Sequence, residues 1–172
     1  GRLLSTKLAE MNSWSVVPDT KPGAGTALGL AEAARASPAG YDLVVGQTDN
    51  VSLIPLLLKV AYDPIKDLTP VALVATTPMI LVVPEKSPYK NVKELLEAGK
   101  KAGKGGMAYG SAGAGGLSHL ASEAVNSHAN GNFTHVPYKG GAPLVQSLMA
   151  NEVAWGLLGT GDVRSFIQSG KL

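Results

Sequence analysis

YGSAGAGGLSHLASEAV, residues 109–125, places an apolar run ending at Tyr109, a loop of Gly, Ser and Ala, and a helical pattern in direct succession. Leu117, Leu120, Ala121, Ala124 and Val125 recur at i, i+3, i+4, i+7 and i+8, which predicts one buried helix face. The stretch therefore reads as a strand feeding a glycine loop that opens onto a helix N-terminus. The first turn of a helix has unpaired N–H groups and a partial positive charge of about +0.5. Small residues give a ligand access to those groups, so the default reading is a pocket for an anion, most simply a carboxylate.

Working outward, the same rhythm recurs. Residues 2–11 predict a helix burying Leu3, Leu4, Leu8 and Met11, and Trp14–Val17 a short strand. KPGAGT, 21–26, is a first glycine loop, followed by an alanine-rich helix over about 26–36 that Pro38-Ala39-Gly40 stops. Tyr41–Val45 predicts a buried strand, GQTDN at 46–50 a second loop, and 51–58 a short helix or irregular apolar segment with Pro55 inside it. YDPIKDLTP, 62–70, is a turn-rich connector. The run 71–83 is long for one strand. Pro78 cannot donate within a central ladder, so two strands joined near Thr76-Thr77-Pro78 are expected, with a crossing between two lobes there.

Beyond it, Asn91–Ala102 predicts a helix with Val92, Leu95 and Leu96 inward, and Met107–Tyr109 a strand. Phe133–Val136 predicts another strand, PYKGGAP at 137–143 a loop, and the next helix buries Leu144, Val145, Leu148 and Met149. Val153–Leu157 is a strand, and GTGD at 159–162 opens a last helix with Val163, Phe166 and Ile167 inward. This alternation argues for a parallel α/β sheet, whose ligands sit outside the carboxyl ends of the strands. The glycine loops all follow strands, so they gather at that edge.

Composition narrows the function. The chain has 172 residues, 45% hydrophobic, enough for one domain or two small lobes with a real core. Aromatic residues are 5%, too few for base-stacking platforms. Net charge is +2, and the densest basic group (Lys86, Lys90, Lys93, Lys100, Lys101 and Lys104) is interleaved with Glu85, Glu94 and Glu97, a solvated helix face rather than a nucleic-acid footprint. The absence of cysteine excludes disulfides, thiolate metal sites and Cys nucleophiles. No apolar run approaches the roughly 20 residues of a membrane span. No signal peptide is visible in the sequence, which opens at Gly1 on a helical pattern; a mature or trimmed fragment would look the same.

The 109–125 loop is neither a P-loop, lacking Lys-Ser/Thr, nor a dinucleotide fingerprint, because Gly110, Gly113, Gly115 and Gly116 are wrongly spaced. Ser111 directly follows Gly110, so it is no nucleophile elbow either. A tight strand-to-helix turn without a ligand is the plain alternative. His119, His128 and His135 show no metal spacing, and no metal or cofactor is expected. His119 either donates to a ligand or braces the loop. Asp49 and Asp162 either cap helices or accept from a ligand hydroxyl or ammonium. With only Arg2, Arg35 and Arg164 present, an anion would rest on backbone N–H groups, hydroxyls and bridging waters. Ser111, His119 and Asp162 make a hydrolase only on paper, and no catalytic residue is assigned.

KPGAG, ASPAGYDLVVGQTDN, YDPIKDLTPVALVATTP, YGSAGAGGLSHLASE, HVPYKGGAPLVQSLMANEV and IQSGKL follow one another in fixed order. Together they resemble the substrate-binding proteins of bacterial tripartite tricarboxylate transporters, the Bug or TctC-like family, over nearly the whole chain. The resemblance implies a type II periplasmic binding-protein fold of α/β class, with two lobes, about 1–77 and 78–172, closing over a small carboxylate by a hinge near Thr76–Pro78. The acid is then handed to a membrane permease; the protein is periplasmic, binds no nucleic acid and does not itself span the membrane. The ligand-facing residues implied are Gly23, Ala24 and Gly25; Thr48, Asp49 and Asn50; Ser111, Ala112, Gly113, Ala114, Gly115 and Gly116 with Ser118 and His119; and the loop holding Thr160 and Asp162. The family's opening strand and its returning strand are both missing, so the resemblance is to a central fragment with an incomplete first lobe. Thr26 stands where the family often has Gly, and Leu158 near where it has an acidic residue. The alternatives are an α/β enzyme acting on a carboxylated or phosphorylated metabolite and the effector domain of a transcription regulator, which a basic helix-turn-helix would normally precede.

Overall fold

The computed structural model describes residues 1–21, 27–103 and 105–172. The chain divides into two compact units, Gly1–Pro70 and Val71–Leu172.

In the first unit, α1 (Arg2–Asn12) forms where the helical pattern predicts it, but it buries no residue; Leu3 and Met11 lie open to solvent. The small core gathers on α2 (Ala27–Ala33), where Ala27, Leu30 and Ala31 pack against Ile54 and Tyr62. A π-helical turn (Asp49–Leu53) runs into α3 (Ile54–Leu57), with Pro55 tolerated in the first turn, where its missing N–H costs nothing. The 62–70 connector is turned by carboxylates: Asp63 accepts from the Ile65 and Lys66 amides and Asp67 from the Asp63 amide. Neither Trp14–Val17 nor Tyr41–Val45 is a strand, and Tyr41, Leu43 and Val45 are exposed rather than buried. β-rich composition supplies side chains for a strand, but a strand exists only where a neighbour takes up its N–H and C=O groups, and no strand lies among the described residues of this unit.

The second unit is a three-layer sandwich. Its sheet has the order β1-β4-β2-β3, built from β1 (Met79–Val82), β2 (Met107–Ser111), β3 (Phe133–Pro137) and β4 (Trp155–Gly159). β2 runs parallel to β3 and to β4, whereas β1 pairs antiparallel with β4, Met79 opposite Gly159 and Val82 opposite Gly156. The expected all-parallel sheet is thus mixed, because apolar periodicity marks a strand but carries no direction. The run 71–83 yields one strand, not two: Val71, Leu73 and Val74 are exposed and pairing starts at Met79.

Alternation along the strands divides the core. Tyr109, Phe133, Trp155 and Leu157 point to the face that carries Leu95 of α4 (Val92–Lys101) together with Ala121 and Val125 of α5 (Leu117–His128). Val82 and Leu158 point to the other face, against Leu144, Val145 and Leu148 of α6 (Gly141–Met149) and Val163 of α7 (Thr160–Gln168). α4 begins on a reciprocal cap: Asn91 accepts from the Glu94 amide and Glu94 accepts from the Lys90 amide, while Lys100 and Lys101 close its negative end. Val92 and Ile167, expected inward, are exposed at 48% and 41%.

α5 is rotated from the face its apolar residues predict. Ser118 and Ser122 are its buried residues, Ala121 and Val125 flank them, and Leu117 and Ala124 are exposed. Two serines on the inner face let the helix lie close to the sheet, and proximity outweighs the apolar area given up.

Gly99 of α4 shows how tight this face is, since a Cβ there would meet the Phe133 ring at 2.1 Å. Gly99→Ala gains helix propensity of about 1 kcal/mol, but overpacking a filled site costs about 1–3 kcal/mol. We expect net destabilisation in denaturant melts, and recovery of most of it by adding Phe133→Leu, which removes the obstructing ring end.

Candidate functional site

β2, β3 and β4 are parallel, and each runs directly into a helix: β2 into α5, β3 into α6, β4 into α7. Three helix N-termini therefore meet one edge of the sheet, at its carboxyl end. The loops between them are knitted together. Tyr138 donates its amide to the Ser111 carbonyl at 2.9 Å, and Gly140 to the Ala112 carbonyl at 3.0 Å, tying the loop after β3 to the loop after β2.

The 111–116 loop is held mainly by side chains of its own neighbourhood. Ser118 Oγ accepts the Ala112 amide at 2.9 Å, and His119 Nδ1 accepts the Gly115 amide at 3.0 Å. Ser111 Oγ accepts the Gly113 amide at 3.3 Å, lies 3.1 Å from the Gly113 carbonyl and sits 2.7 Å from His135 Nε2. One hydroxyl hydrogen cannot serve two acceptors; the arrangement that satisfies every group has the imidazole N–H donating to Oγ and Oγ donating to the carbonyl. Gly116 closes a long contact, 3.4 Å, to the Gly113 carbonyl. Gly115 has φ of 77°, a left-handed conformation that glycine adopts without penalty. Ala114 is the exposed tip.

Beneath the loop runs a ladder of rings. Trp155 stacks on Tyr109 at 5.0 Å, Tyr109 on His135 at 5.1 Å, and His135 on His119 at 3.8 Å with planes only 15° apart. The Tyr109 hydroxyl donates to the Glu123 carboxylate, a second tie between sheet and α5. Burial, and then Glu123, hold the Tyr109 phenol far above its ordinary range, so it stays a donor. Burial first and His119 second push the His135 imidazole below its ordinary value, with Glu123 opposing.

The expected ligand-facing residues fall into distinct places. Gly23, Ala24 and Gly25 lie outside the described residues. Thr48 precedes the π-helical turn, is exposed, and makes no side-chain cap; Asp49 begins that turn. Asn50 is buried at 1% exposure: its Oδ1 accepts from the Gln47 amide at 2.8 Å and its carbonyl accepts from the Tyr62 hydroxyl, so its side chain braces the turn from inside. Thr160 and Asp162 stand in the first turn of α7, not in a loop as expected, because β4 continues to Gly159 and the helix starts at once. Thr160 donates its amide to the Pro78 carbonyl at 3.1 Å, and the Asp162 carboxylate lies against Gly141, at the start of α6. Ser111, His119 and Asp162 do not assemble: Ser111 is fully buried and paired with His135, and His119 is committed to Gly115.

Sequence reasoning missed His135, Tyr109 and Glu123 as parts of the site. The parallel register sets Tyr109 opposite His135, and only pairing supplies that alignment. In the first turn of α5 the Ser118 and His119 amides have no acceptor among the described residues, and α5 has no acidic residue there.

The chain matches, over residues 1–172, the family described as Tripartite tricarboxylate transporter family receptor, TctC, and it belongs to that family. It is 35% identical over 152 residues to the UPF0065 protein in the tcbD-tcbE intergenic region of Pseudomonas sp. (strain P51), covering 88% of this chain and 45% of that protein. Two solved structures are similar. One is the periplasmic binding protein BugD, at 32% identity and TM-score 0.84, covering 99% of this chain and 56% of that one. The other is an R. palustris protein with adipate, at 25% identity and TM-score 0.90, covering 99% and 57%. The chain spans about half the length of the curated relatives it matches. The α/β fold class and the family resemblance read from the sequence are thereby confirmed. No helix among the described residues is long and apolar enough to cross a membrane.

Ser118→Ala deletes the acceptor of the Ala112 amide in a half-buried turn. Leaving such a donor unsatisfied costs about 1–3 kcal/mol. The expected result is a loss of that order in denaturant melts, with faster hydrogen exchange at Ala112; unchanged exchange there would mean the loop is held by other contacts.

Proposed function

We propose that the protein is a periplasmic solute-binding protein that captures a small organic carboxylate and delivers it to the permease of a tripartite tricarboxylate-type transporter. The observation that carries this reading is the convergence of three helix N-termini at one sheet edge, within a family whose described role is that of a transport receptor. The adipate held by a similar R. palustris protein supports the carboxylate class. Partial positive charge at helix starts favours an anion without a bidentate arginine, which suits a chain with so few arginines.

The internal hydrogen bonds refine how such an anion would be held. The Ala112, Gly113 and Gly115 amides already serve the loop's own acceptors, so they set its shape. The Ser118 and His119 amides in the first turn of α5 are the groups left to meet a carboxylate oxygen, with Ala114 and Gly116 leaving room above them. Gly23, Ala24 and Gly25, Thr48 and Asp49, and Thr160 and Asp162 complete the proposed ligand-facing set, and the lobe division near residues 77 and 78 belongs to the same reading. No covalent step is involved: a receptor needs differential affinity between conformations rather than an activated nucleophile.

A thermal-shift panel of acetate, malate, adipate, citrate and an aromatic acid tests this. One acid should raise the melting temperature in a concentration-dependent way, equivalent to about 2.7 kcal/mol when it is present at a hundred times its Kd. No shift with any acid would sink the carboxylate reading, and turnover of an acid by the protein alone would favour an α/β enzyme instead.

A further inference from the structure

We propose that His135 is a positioning residue for the 111–116 loop, and that its stacking on His119 makes the loop's shape sensitive to protons. The functional weight of this inference rests on the carboxylate reading above; its structural content does not. His135 lies in β3, outside the loop and outside the helix that follows it, yet it reaches both of the loop's anchors. Through Nε2 it meets Ser111 at the start of the loop, and through its ring face it meets His119, whose Nδ1 holds the Gly115 amide near the loop's end. Its other face lies on Tyr109, which rests on Trp155 in the core, so its position is fixed by the sheet.

This arrangement requires a proton-free Nδ1 on His119, whereas His135 donates through Nε2 to Ser111 in either charge state. His119 Nδ1 accepts a hydrogen bond, so the His119 proton sits on Nε2; a second proton on Nδ1 would set two donors against each other and expel the Gly115 amide. Two stacked rings at 3.8 Å cannot both be cationic without strong repulsion. The titratable groups facing His135 are His119 and Glu123 from α5 and Tyr109 from β2, and Glu123 is engaged by the tyrosine hydroxyl. Because the folded-state value of His135 lies below that of a free imidazole, its contribution to stability is complete above about pH 6.5. It is lost as the pH falls below that point, where the unfolded chain takes up the proton first.

The test is an NMR titration from about pH 8 to pH 5 that follows the imidazole signals together with the Gly115 amide. In the unaltered protein the His135 midpoint should lie below the free-imidazole value, and the Gly115 amide, held by the ring stacked on His135, should shift through that same midpoint. His119→Asn puts a non-titrating Oδ1 where Nδ1 stood. It should keep the Gly115 amide protected throughout and move the His135 midpoint upward. His135→Gln keeps a polar group near Ser111 but loses the stack, and should lower Gly115 protection already at the basic end. A His135 midpoint at the free-imidazole value, or a Gly115 amide indifferent to pH, would overturn the inference; so would full Gly115 protection in His135→Gln. No ligand is needed. A protein that binds none of the acids but shows the coupled titration loses only the functional reading, and one that binds an acid with a pH-indifferent loop loses only this inference.

Discussion

Contact between two imidazole faces fastens the first turn of α5 to β3, and the shape of the 111–116 loop depends on it. Two further ties of the loop end on those rings, while Ser118, Tyr138 and Gly140 hold Ser111 and Ala112 independently of them. Ser111 meets His135 on one side, the Gly115 amide meets His119 on the other, and Tyr109 seats the pair on the core. The column joins two aromatic residues, Trp155 and Tyr109, to two of the three histidines. A column of flat rings resists shear between helix and sheet better than flexible aliphatic chains do, and it holds a loop of small residues that could not hold itself.

The second constraint is the need to satisfy backbone donors at a helix start. A glycine-rich loop has no side chains with which to cap its own amides, so acceptors must come from nearby. Ser118 and His119 reach back from the helix, and Ser111 reaches forward from the strand. The loop's shape is therefore set by hydrogen bonds to its own neighbours. The same economy explains the serine face of α5: Ser118 is both a spacer that lets the helix approach the sheet and an acceptor for a loop amide.

Most of the second unit could be read from the chain. Local periodicity placed α4, α6 and α7 and their neighbouring strands within a few residues, and Leu144, Val145, Leu148 and Val163 were rightly expected in the core. Reading failed where burial depends on a partner rather than on a pattern. Tyr41–Val45 has strand composition and Leu3 and Met11 have core composition, yet all lie open, because no neighbouring surface among the described residues covers them. On α5 the apolar stripe predicted the wrong inner face, since close approach through small residues beat apolar area. At the site, Ser111 and His119 were legible from their place around a strand-to-helix loop, whereas His135 read only as a strand residue. Its role exists only once the parallel register sets it opposite Tyr109.

By itself the sequence determined the alternation of strands and helices, the glycine loop between β2 and α5, and membership of a receptor family, because these depend on residue order and spacing. Tertiary structure alone decided the reversed direction of β1, the rotation of α5, and the joining of His119 to His135 across residues distant in the chain. The physical reason is the same in each case. Local pattern fixes which way a side chain leaves its own helix or strand, but only packing chooses what stands opposite it.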